Sequence, residues 1–284
     1  MARIGVVTDS IADLPQDLYR ENNIEVVPVS VLFGDEVYKD QVDLTTEEFF
    51  EKLKTSDVMP TTSQPSPASF LAVYKRMLEN YDHIISIHVS SKLSGTYQSA
   101  LIARETLGSS AIEVIDSGQA STCQGFVALA AARAVAAGRE LNEIRRVVRH
   151  FMDNVKLLFT VDTLRYLEKN GRIGKASALL GGLLSIKPVI SLGEGEVIPV
   201  DRVRGAGRVL PRVMELMSQW VGSRKPLHVA VIHGDSPDRA KEWKAEVERR
   251  FVCAEVFISK CGPVVGTHTG PGSIGVAWCP AYEG

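Results

Sequence analysis

The first 155 residues repeat one order, an apolar strand, a short polar segment and then a helix, and this repetition constrains the fold more than any other feature. Strands that alternate with helices favour a doubly wound, mainly parallel sheet. In such a sheet ligands bind beyond the carboxyl ends of the strands, and hydroxyl-rich segments fall at or near that edge. The predicted strands of this half are Ile4–Val7, Ile24–Leu32, Ile84–Val89 and Ile112–Ile115.

The sequence after residue 155 has a different pattern. Val189–Leu192 and Glu196–Pro199 flank Gly193-Glu194-Gly195, a spacing that predicts a β-hairpin. Hairpins mixed with helices favour an α+β domain with a largely antiparallel sheet. We therefore predict two domains, residues 1–155 and 156–284, with a ligand between them, in line with a prior of ~150 residues per domain.

The composition excludes several functional classes. Of the 284 residues 45% are hydrophobic and 23% are charged, which is typical of a globular protein. The formal net charge of −2 gives no basic surface and argues against a nucleic-acid partner. The longest apolar stretches, Phe126–Ala132 and Ala176–Ile186, are too short for a membrane span, and the N-terminus does not resemble a signal peptide. The sequence therefore predicts a cytoplasmic protein.

No motif in the sequence indicates a metal or a cofactor. Gly270–Gly275 matches G-x-G-x-x-G, but only nine residues follow it, too few for a dinucleotide-binding unit. The six histidines show no convincing metal-ligand spacing. The four cysteines form no C-x-x-C pair and are expected to be small buried apolar residues, namely Cys123, Cys253, Cys261 and Cys279.

Four residues are candidates for a functional site. Ser94 stands between a predicted strand and helix, where it is either a helix N-cap or part of an anion site at the helix N-terminus. Thr62 lies in Pro60–Pro67, whose prolines predict a loop, so its hydroxyl serves either the turn or a ligand. His268 lies in a glycine-rich segment, which is not typical of a packed core histidine, and Arg172 is either a helix C-terminal charge or an anion partner. Hydroxyls, one histidine and one arginine without an obvious base favour holding an anion over cleaving a bond.

Seven segments together resemble the DegV family, in order and over residues 8 to about 276. Each segment alone is weakly specific, whereas the ordered set is specific. They are Thr8-Asp9-Ser10 with Asp13-Leu14-Pro15, Pro60–Pro65, Ser90–Tyr97, Asp162–Leu167, Gly171-Arg172-Ile173, Ile186-Lys187-Pro188 and Gly266–Gly272.

The resemblance implies a bacterial fatty-acid-binding protein that has two α/β domains and buries an acyl chain between them. The family's carboxylate-binding hydroxyls correspond to Thr62 and Ser94, and its head-group Arg and His to Arg172 and His268. The helix predicted at Lys175–Ser185 is then either a wall of the acyl tunnel or plain domain core. The neighbouring residues that complete the implied ligand-binding set are Ser63, Gly95 and Thr267.

The resemblance also implies a protein partner. Characterised members present the fatty acid, of palmitate or oleate type, to the catalytic subunit of a fatty acid kinase, which forms acyl phosphate for phospholipid synthesis. Arg204 matches an arginine that faces the kinase, and brief contact with a membrane surface fits a lipid carrier. The sequence departs from the family at Asn170, where a second glycine usually precedes Gly171, and we expect Asn to keep the turn because it tolerates left-handed backbone.

Two other functions remain open from the residues alone. The first is a serine hydrolase or acyltransferase that uses Ser94 with His268 as its base. The second is a binding module for another small anion, which predicts a short polar pocket without a tunnel. A non-enzymatic lipid carrier is the main hypothesis.

Overall fold

The computed structural model describes residues 2–181, 186–221 and 226–283. In chain order the strands are β1 (Ile4–Asp9), β2 (Ile24–Val27), β3 (Ser30–Phe33), β4 (Glu36–Lys39), β5 (Thr61–Ser63), β6 (His83–His88), β7 (Ile112–Asp116), β8 (Lys156–Thr160), β9 (Ile186–Gly193), β10 (Glu196–Arg204), β11 (Leu227–His233), β12 (Cys253–Lys260) and β13 (Ile274–Pro280). The helices are α1 (Gln16–Glu21), α2 (Thr46–Thr55), α3 (Pro67–Leu78), α4 (Thr96–Leu107), α5 (Thr122–Ala136), α6 (Leu141–Asn154), α7 (Arg165–Lys169), α8 (Val209–Trp220), α9 (Pro237–Arg250) and α10 (Pro263–Thr269).

The N-terminal half contains the predicted parallel sheet, with strand order β2-β1-β6-β7. All six residues of β1 are buried, because helices cover both faces of the sheet. Val7 and Ile84 belong to the core formed with α3 and α4, whereas Val6 and Ile85 belong to the core formed with α5. This division follows from the alternation of side chains along a strand and confirms the predicted fold class of this half.

A second, antiparallel sheet with strand order β4-β3-β5 corrects two sequence predictions. Ile24–Leu32 is not one strand, because Pro28 separates β2 from β3. Pro60–Pro67 is not loop throughout. Its residues 61–63 carry no proline and pair with β3 as β5, which sets Thr62 opposite Val31.

The C-terminal half forms a six-stranded sheet with order β10-β9-β8-β13-β11-β12. Every neighbouring pair is antiparallel except β11 and β12, so the predicted, largely antiparallel sheet is confirmed. The predicted hairpin is β9–β10, and both strands are longer than the sequence indicated. Its two-residue turn, Glu194-Gly195, has φ of 52° and 81°, which suits a type I′ turn.

Helix α5 joins the two halves through one core. Twelve of its fifteen residues are buried. Its side chains belong to a cluster that includes Val6 of β1 and Ala277 of β13, and Phe126 meets Phe257 of β12 edge to face. The sheet changes between β7 and β8, on either side of the proposed 155/156 division, but the core is continuous across it. The two-domain division stays a prediction.

Two further sequence interpretations need correction. Lys175–Ser185 is not one helix: a 3₁₀ helix covers Gly174–Leu179, and extended backbone at Leu180 ends it, while residues 182–185 lie outside the described ranges. The glycine-rich segment around His268 is the helix α10, which begins with Pro263 at its first position, a favourable place for proline. Within the three described ranges, no helix combines the length and apolarity that crossing a bilayer requires.

Candidate functional site

A cavity of about 340 Å³ lies between residues of the two halves. Its walls are mainly apolar, and a smaller number of polar side chains faces it. The apolar lining includes Val29 and Val89 from the N-terminal half and Phe159, Ile190, Ile232 and Val264 from the C-terminal half. The polar lining includes Thr62, Ser63, Gln64, Ser94, Arg172 and His268. The size and the few polar groups are typical of a small-molecule site.

Thr62 and His268 meet in this cavity although 206 positions separate them in the chain. Strand β5 carries Thr62 and helix α10 carries His268, and the two elements are packed together. The distance from Thr62 Oγ1 to His268 Nε2 is 3.0 Å. Their pairing unites two residues that the sequence singled out separately.

The His268 ring is neutral at neutral pH and has one nitrogen free. Burial and, to a smaller extent, the nearby charge of Arg172 together lower the pKa of His268 to about 3. In the described part of the chain, Nδ1 is buried without a hydrogen-bond partner. A buried polar atom without a partner is costly, so this nitrogen is a natural contact for a ligand.

Arg172 supplies the positive charge of the cavity's polar part. Its Nε donates to the Leu93 carbonyl at 3.1 Å and its Nη1 to the Asn170 carbonyl at 2.7 Å, which fix the guanidinium. No carboxylate among the described residues forms an ion pair with it. Its remaining N–H groups are therefore free to bind an anion.

Asn170, where the family usually has a glycine, keeps the turn before Arg172, but not by adopting the left-handed conformation that we expected of it. Asn170 has φ of −90°, and Gly171 takes the left-handed conformation with φ of 68°. The Asn170 side chain donates from Nδ2 to the Thr267 carbonyl at 3.1 Å. Asn170 thus ties the Arg172 turn to α10, the helix that carries His268.

Ser94 lines the cavity just before α4. Its hydroxyl lies 2.9 Å from Thr96 Oγ1, and the Thr96 N–H reaches Ser94 Oγ at 3.3 Å. The N-cap position is occupied by Gly95, so Ser94 is not the formal N-cap. A Cβ at position 95 would collide with the Gln64 side chain, which explains why glycine suits this position.

The remaining predicted residues are placed less directly. Ser63 lines the cavity, as does its neighbour Gln64, which the sequence argument passed over although it lies in the same Pro60–Pro65 segment. Thr267 is fully buried and donates from its hydroxyl to the Pro263 carbonyl at 2.8 Å, within α10. Arg204 is exposed at the end of β10, away from the cavity lining.

The hairpin β9–β10 closes one side of the cavity. Leu192 and Val197, on either side of its turn, line the cavity. At the turn, Ser90 donates from its hydroxyl to the Gly195 carbonyl at 2.6 Å. This bond attaches the tip of a C-terminal hairpin to the N-terminal half.

The arrangement gives little support to a nucleophilic centre. Ser94 and His268 share no hydrogen bond, because each pairs with a threonine instead. An Asp–His–Ser chain does occur elsewhere, at Asp9, His88 and Ser86, but all three residues are fully buried and none of them lines the cavity. Among the described residues, no three His, Cys, Asp or Glu side chains are grouped to hold a metal ion.

The comparison with known proteins identifies the family. The profile described as an uncharacterised protein of the DegV family matches residues 3–281, nearly the whole chain. The chain belongs to the DegV family. A DegV domain-containing protein of Halalkalibacterium halodurans is 38% identical over 281 residues, which cover 98% of this chain and 99% of that protein. The resemblance inferred from the seven segments is therefore confirmed.

Solved DegV structures share the fold. A DegV family protein from Thermus thermophilus, whose structure is described as showing fatty acid binding, superposes with a TM-score of 0.94 at 35% identity, covering 98% of this chain and all of that one. A stearic-acid-binding protein from Eubacterium ventriosum superposes with a TM-score of 0.89 at 27% identity, covering 99% of this chain and 98% of that one. Both of these structural neighbours are described as binding a fatty acid.

Proposed function

We propose that this chain is a carrier of a long-chain fatty acid of palmitate or oleate type. The acyl chain occupies the cavity between the two proposed domains, residues 1–155 and 156–284. The carboxylate is held by the hydroxyls of Thr62 and Ser94. The observation that supports this most is one mainly apolar cavity whose polar lining brings together Thr62, Ser94, Arg172 and His268.

The apolar walls would supply most of the affinity. Each buried methylene contributes ~0.8 kcal/mol, so a chain of about 15 gives roughly 12 kcal/mol before the costs of ordering the ligand. A hydrogen bond contributes only ~1 kcal/mol net. The hydroxyls therefore orient the acid more than they retain it.

The carboxylate needs a charged partner once it leaves water, and Arg172 supplies it. The neutral His268 ring, whose pKa is lowered to about 3, contributes no charge. By donating from Nε2 to the Thr62 hydroxyl, it leaves the Thr62 proton available to the carboxylate. The free N–H groups of Arg172 are then available to the carboxylate. A charge-assisted bond of this kind is stronger than a neutral one.

The carrier hypothesis is favoured over the two alternatives. A hydrolase or acyltransferase needs a base bonded to Ser94, and His268 is bonded to Thr62 instead. A site for a small polar anion needs a short polar pocket, whereas most residues that line this cavity are apolar.

The proposed partner is the catalytic subunit of a fatty acid kinase, which would form acyl phosphate on the presented carboxylate. Arg204 is exposed and forms no ion pair with any described residue, so it is free to meet an acidic partner surface. We expect Arg204→Ala to lower acyl phosphate formation about tenfold while palmitate binding is unchanged. Arg20→Ala, an exposed arginine on α1, is the matched control.

Native mass spectrometry of the purified protein, followed by denaturing extraction, tests the carrier hypothesis. We expect an adduct with the mass of a fatty acid that is lost on extraction. Ser94→Ala should retain less of it, while Ser91→Ala, an exposed serine three positions earlier, should retain the wild-type amount. A protein that carries no adduct and also ignores added palmitate and oleate would falsify the proposal.

A further inference from the structure

A second cavity, of about 380 Å³, lies on the other side of the 3₁₀ helix Ser10–Ala12 and shares no lining residue with the first. Its walls combine apolar side chains with two buried carboxyl groups, those of Asp13 and Asp40. The apolar part includes Leu14, Val26, Pro28, Val42 and Ile258.

The two carboxyl groups converge on one point. Asp13 Oδ1, Gln41 Nε2 and Asp40 Oδ1 lie 2.9, 3.2 and 3.5 Å from the position that a Cβ of Gly262 would occupy. Asp13 accepts hydrogen bonds from Ser121 Oγ at 2.7 Å and from the Gly262 N–H at 2.9 Å. Any residue larger than glycine at position 262 would crowd this cluster.

Asp40 lacks what Asp13 has. It is 1% exposed, and neither of its carboxyl oxygens has a hydrogen-bond partner in the part of the chain that the structure describes. A buried carboxyl group without a donor at hydrogen-bond distance is costly, and a second carboxyl group beside it adds to that cost. Burial and the charge of Asp9 raise the pKa of Asp40 to about 7, although the nearby Ser10 and Gln41 side chains act in the opposite direction.

No cation within the described ranges compensates these two groups. The lysine in the wall of the cavity, Lys260, forms an ion pair with Glu47, which also lines it. Burial also raises the pKa of Asp13 well above its usual range. The cavity therefore combines apolar walls with two buried carboxyl groups that no described cation compensates, and a bound cation would stabilise their ionised forms.

We propose that this second cavity binds a small primary alkylamine in its ammonium form, with the ammonium group between Asp13 and Asp40. An ammonium group offers three donors and a compact charge, which suits two carboxylates with the Ser10 or Thr46 hydroxyl beside them. The alkyl part then packs on Leu14 and Val42. A divalent ion fits less well, because such ions prefer six or more oxygen ligands and only two carboxyl groups converge here.

Thermal unfolding with n-butylammonium chloride tests this site directly. At 50 mM we expect the unfolding midpoint to rise by about 2–4 °C. Two controls isolate the charge: n-butanol has the same alkyl chain without it, and sodium chloride has the same ionic strength. Neither should raise the midpoint. An equal rise with n-butanol, or no rise with n-butylammonium, would overturn the proposal.

Variants locate the effect in this cavity. Asp40→Asn should abolish the rise, whereas Asp43→Asn, an exposed aspartate three positions later, should keep it. Val42 lines the cavity but is 67% exposed, so Val42→Trp should block the entrance without disturbing the core and should also abolish the rise. This second variant decides the matter if Asp40→Asn fails to fold. A full rise in Val42→Trp would contradict the assignment.

Discussion

His88 and His268 are both histidines paired with a hydroxyl group, but their surroundings differ. His88 donates from Nδ1 to Asp9 Oδ2 at 2.9 Å and lies 2.7 Å from Ser86 Oγ through Nε2, with no exposed surface. His268 has only Thr62, and its other ring nitrogen faces no described partner. The Asp9–His88–Ser86 chain resembles a hydrolytic triad, but it is buried and both ring nitrogens of His88 have partners. His268, with one ring nitrogen unpaired in the described chain, lines a cavity instead. The unpaired nitrogen of His268, in the wall of a cavity, makes this histidine the better candidate for a ligand contact.

The closed network also has a clear structural task. Besides His88, the Asp9 carboxylate accepts the N–H groups of Ile11 and Val89, at the carboxyl ends of two parallel strands. Ile11 and Val89 in turn line the first cavity, the one that contains Thr62 and His268. One buried carboxylate therefore holds two pieces of the cavity wall in place.

The largest effect is expected from removing the Asp9 carboxylate, which tests whether the His88 network is structural. Asp9→Ala leaves three buried donors without an acceptor, so we expect a loss of about 3–5 kcal/mol in the free energy of unfolding. Urea denaturation followed by circular dichroism measures it. Asp17→Ala, on the exposed face of α1, should change stability by less than about 0.5 kcal/mol. Equal losses in the two variants would contradict the structural role of Asp9.

The open site should respond in binding instead of stability. Arg172→Met removes the charge but keeps much of the apolar stem, and we expect palmitate affinity to fall about 10–100-fold. Displacement of a fluorescent fatty acid measures this affinity. Arg165→Met, an exposed arginine on α7, is the control and should bind as wild type. Wild-type affinity in Arg172→Met would show that the carboxylate lies elsewhere.

A smaller effect is expected from the hydroxyl beside His268. Thr62→Val keeps the shape and removes one hydrogen bond, so palmitate affinity should fall about fivefold, near 1 kcal/mol. Thr61→Val, next to it in β5 and exposed, should leave the affinity unchanged. If both variants lose affinity equally, the effect belongs to the strand and not to the Thr62 hydroxyl.

The smallest effect concerns pH. The pKa of His268 is lowered in the folded chain, whereas in the unfolded chain histidine has a pKa of about 6.5. Below pH 6.5 the unfolded chain therefore binds more protons than the folded chain, and stability falls as the pH falls through that range. Between pH 7 and 6 the loss from this residue is about 0.7 kcal/mol. The difference in unfolding free energy between wild type and His268→Gln at the two pH values isolates it. A difference that does not change with pH would contradict the lowered pKa.

The sequence predicts the architecture better than it predicts contacts between distant residues. Runs such as His83–His88 and Leu227–His233 are long and apolar enough to be recognised as strands from local pattern alone. Strand β5 was missed because three residues between prolines carry little local signal, and α10 was missed because its glycines are typical of turns. These two short elements are the ones that bring Thr62 and His268 together.

The four candidate residues were singled out from their own segments, but only the resemblance to a family predicted that they form one site. No periodicity relates Thr62 to His268, which is 206 positions away. Local backbone conformation is also hard to predict from residue types: Asp13, a non-glycine residue, has a positive φ of 48°. The second cavity was not predicted at all, because its acids come from separate loops around a glycine. Burial decides which acids matter there, and burial is a property of the folded chain.

The continuous core around α5 limits how a large ligand could enter and leave the first cavity. Helix α5 is buried in a core shared by both sheets, so separating the two halves would expose its apolar surface to water. Opening a small part of the cavity wall would therefore cost less than separating the two halves. The β9–β10 tip is the smallest such part, because the Ser90 hydroxyl attaches it to the opposite half by a hydrogen bond and α5 would stay buried if that bond opened.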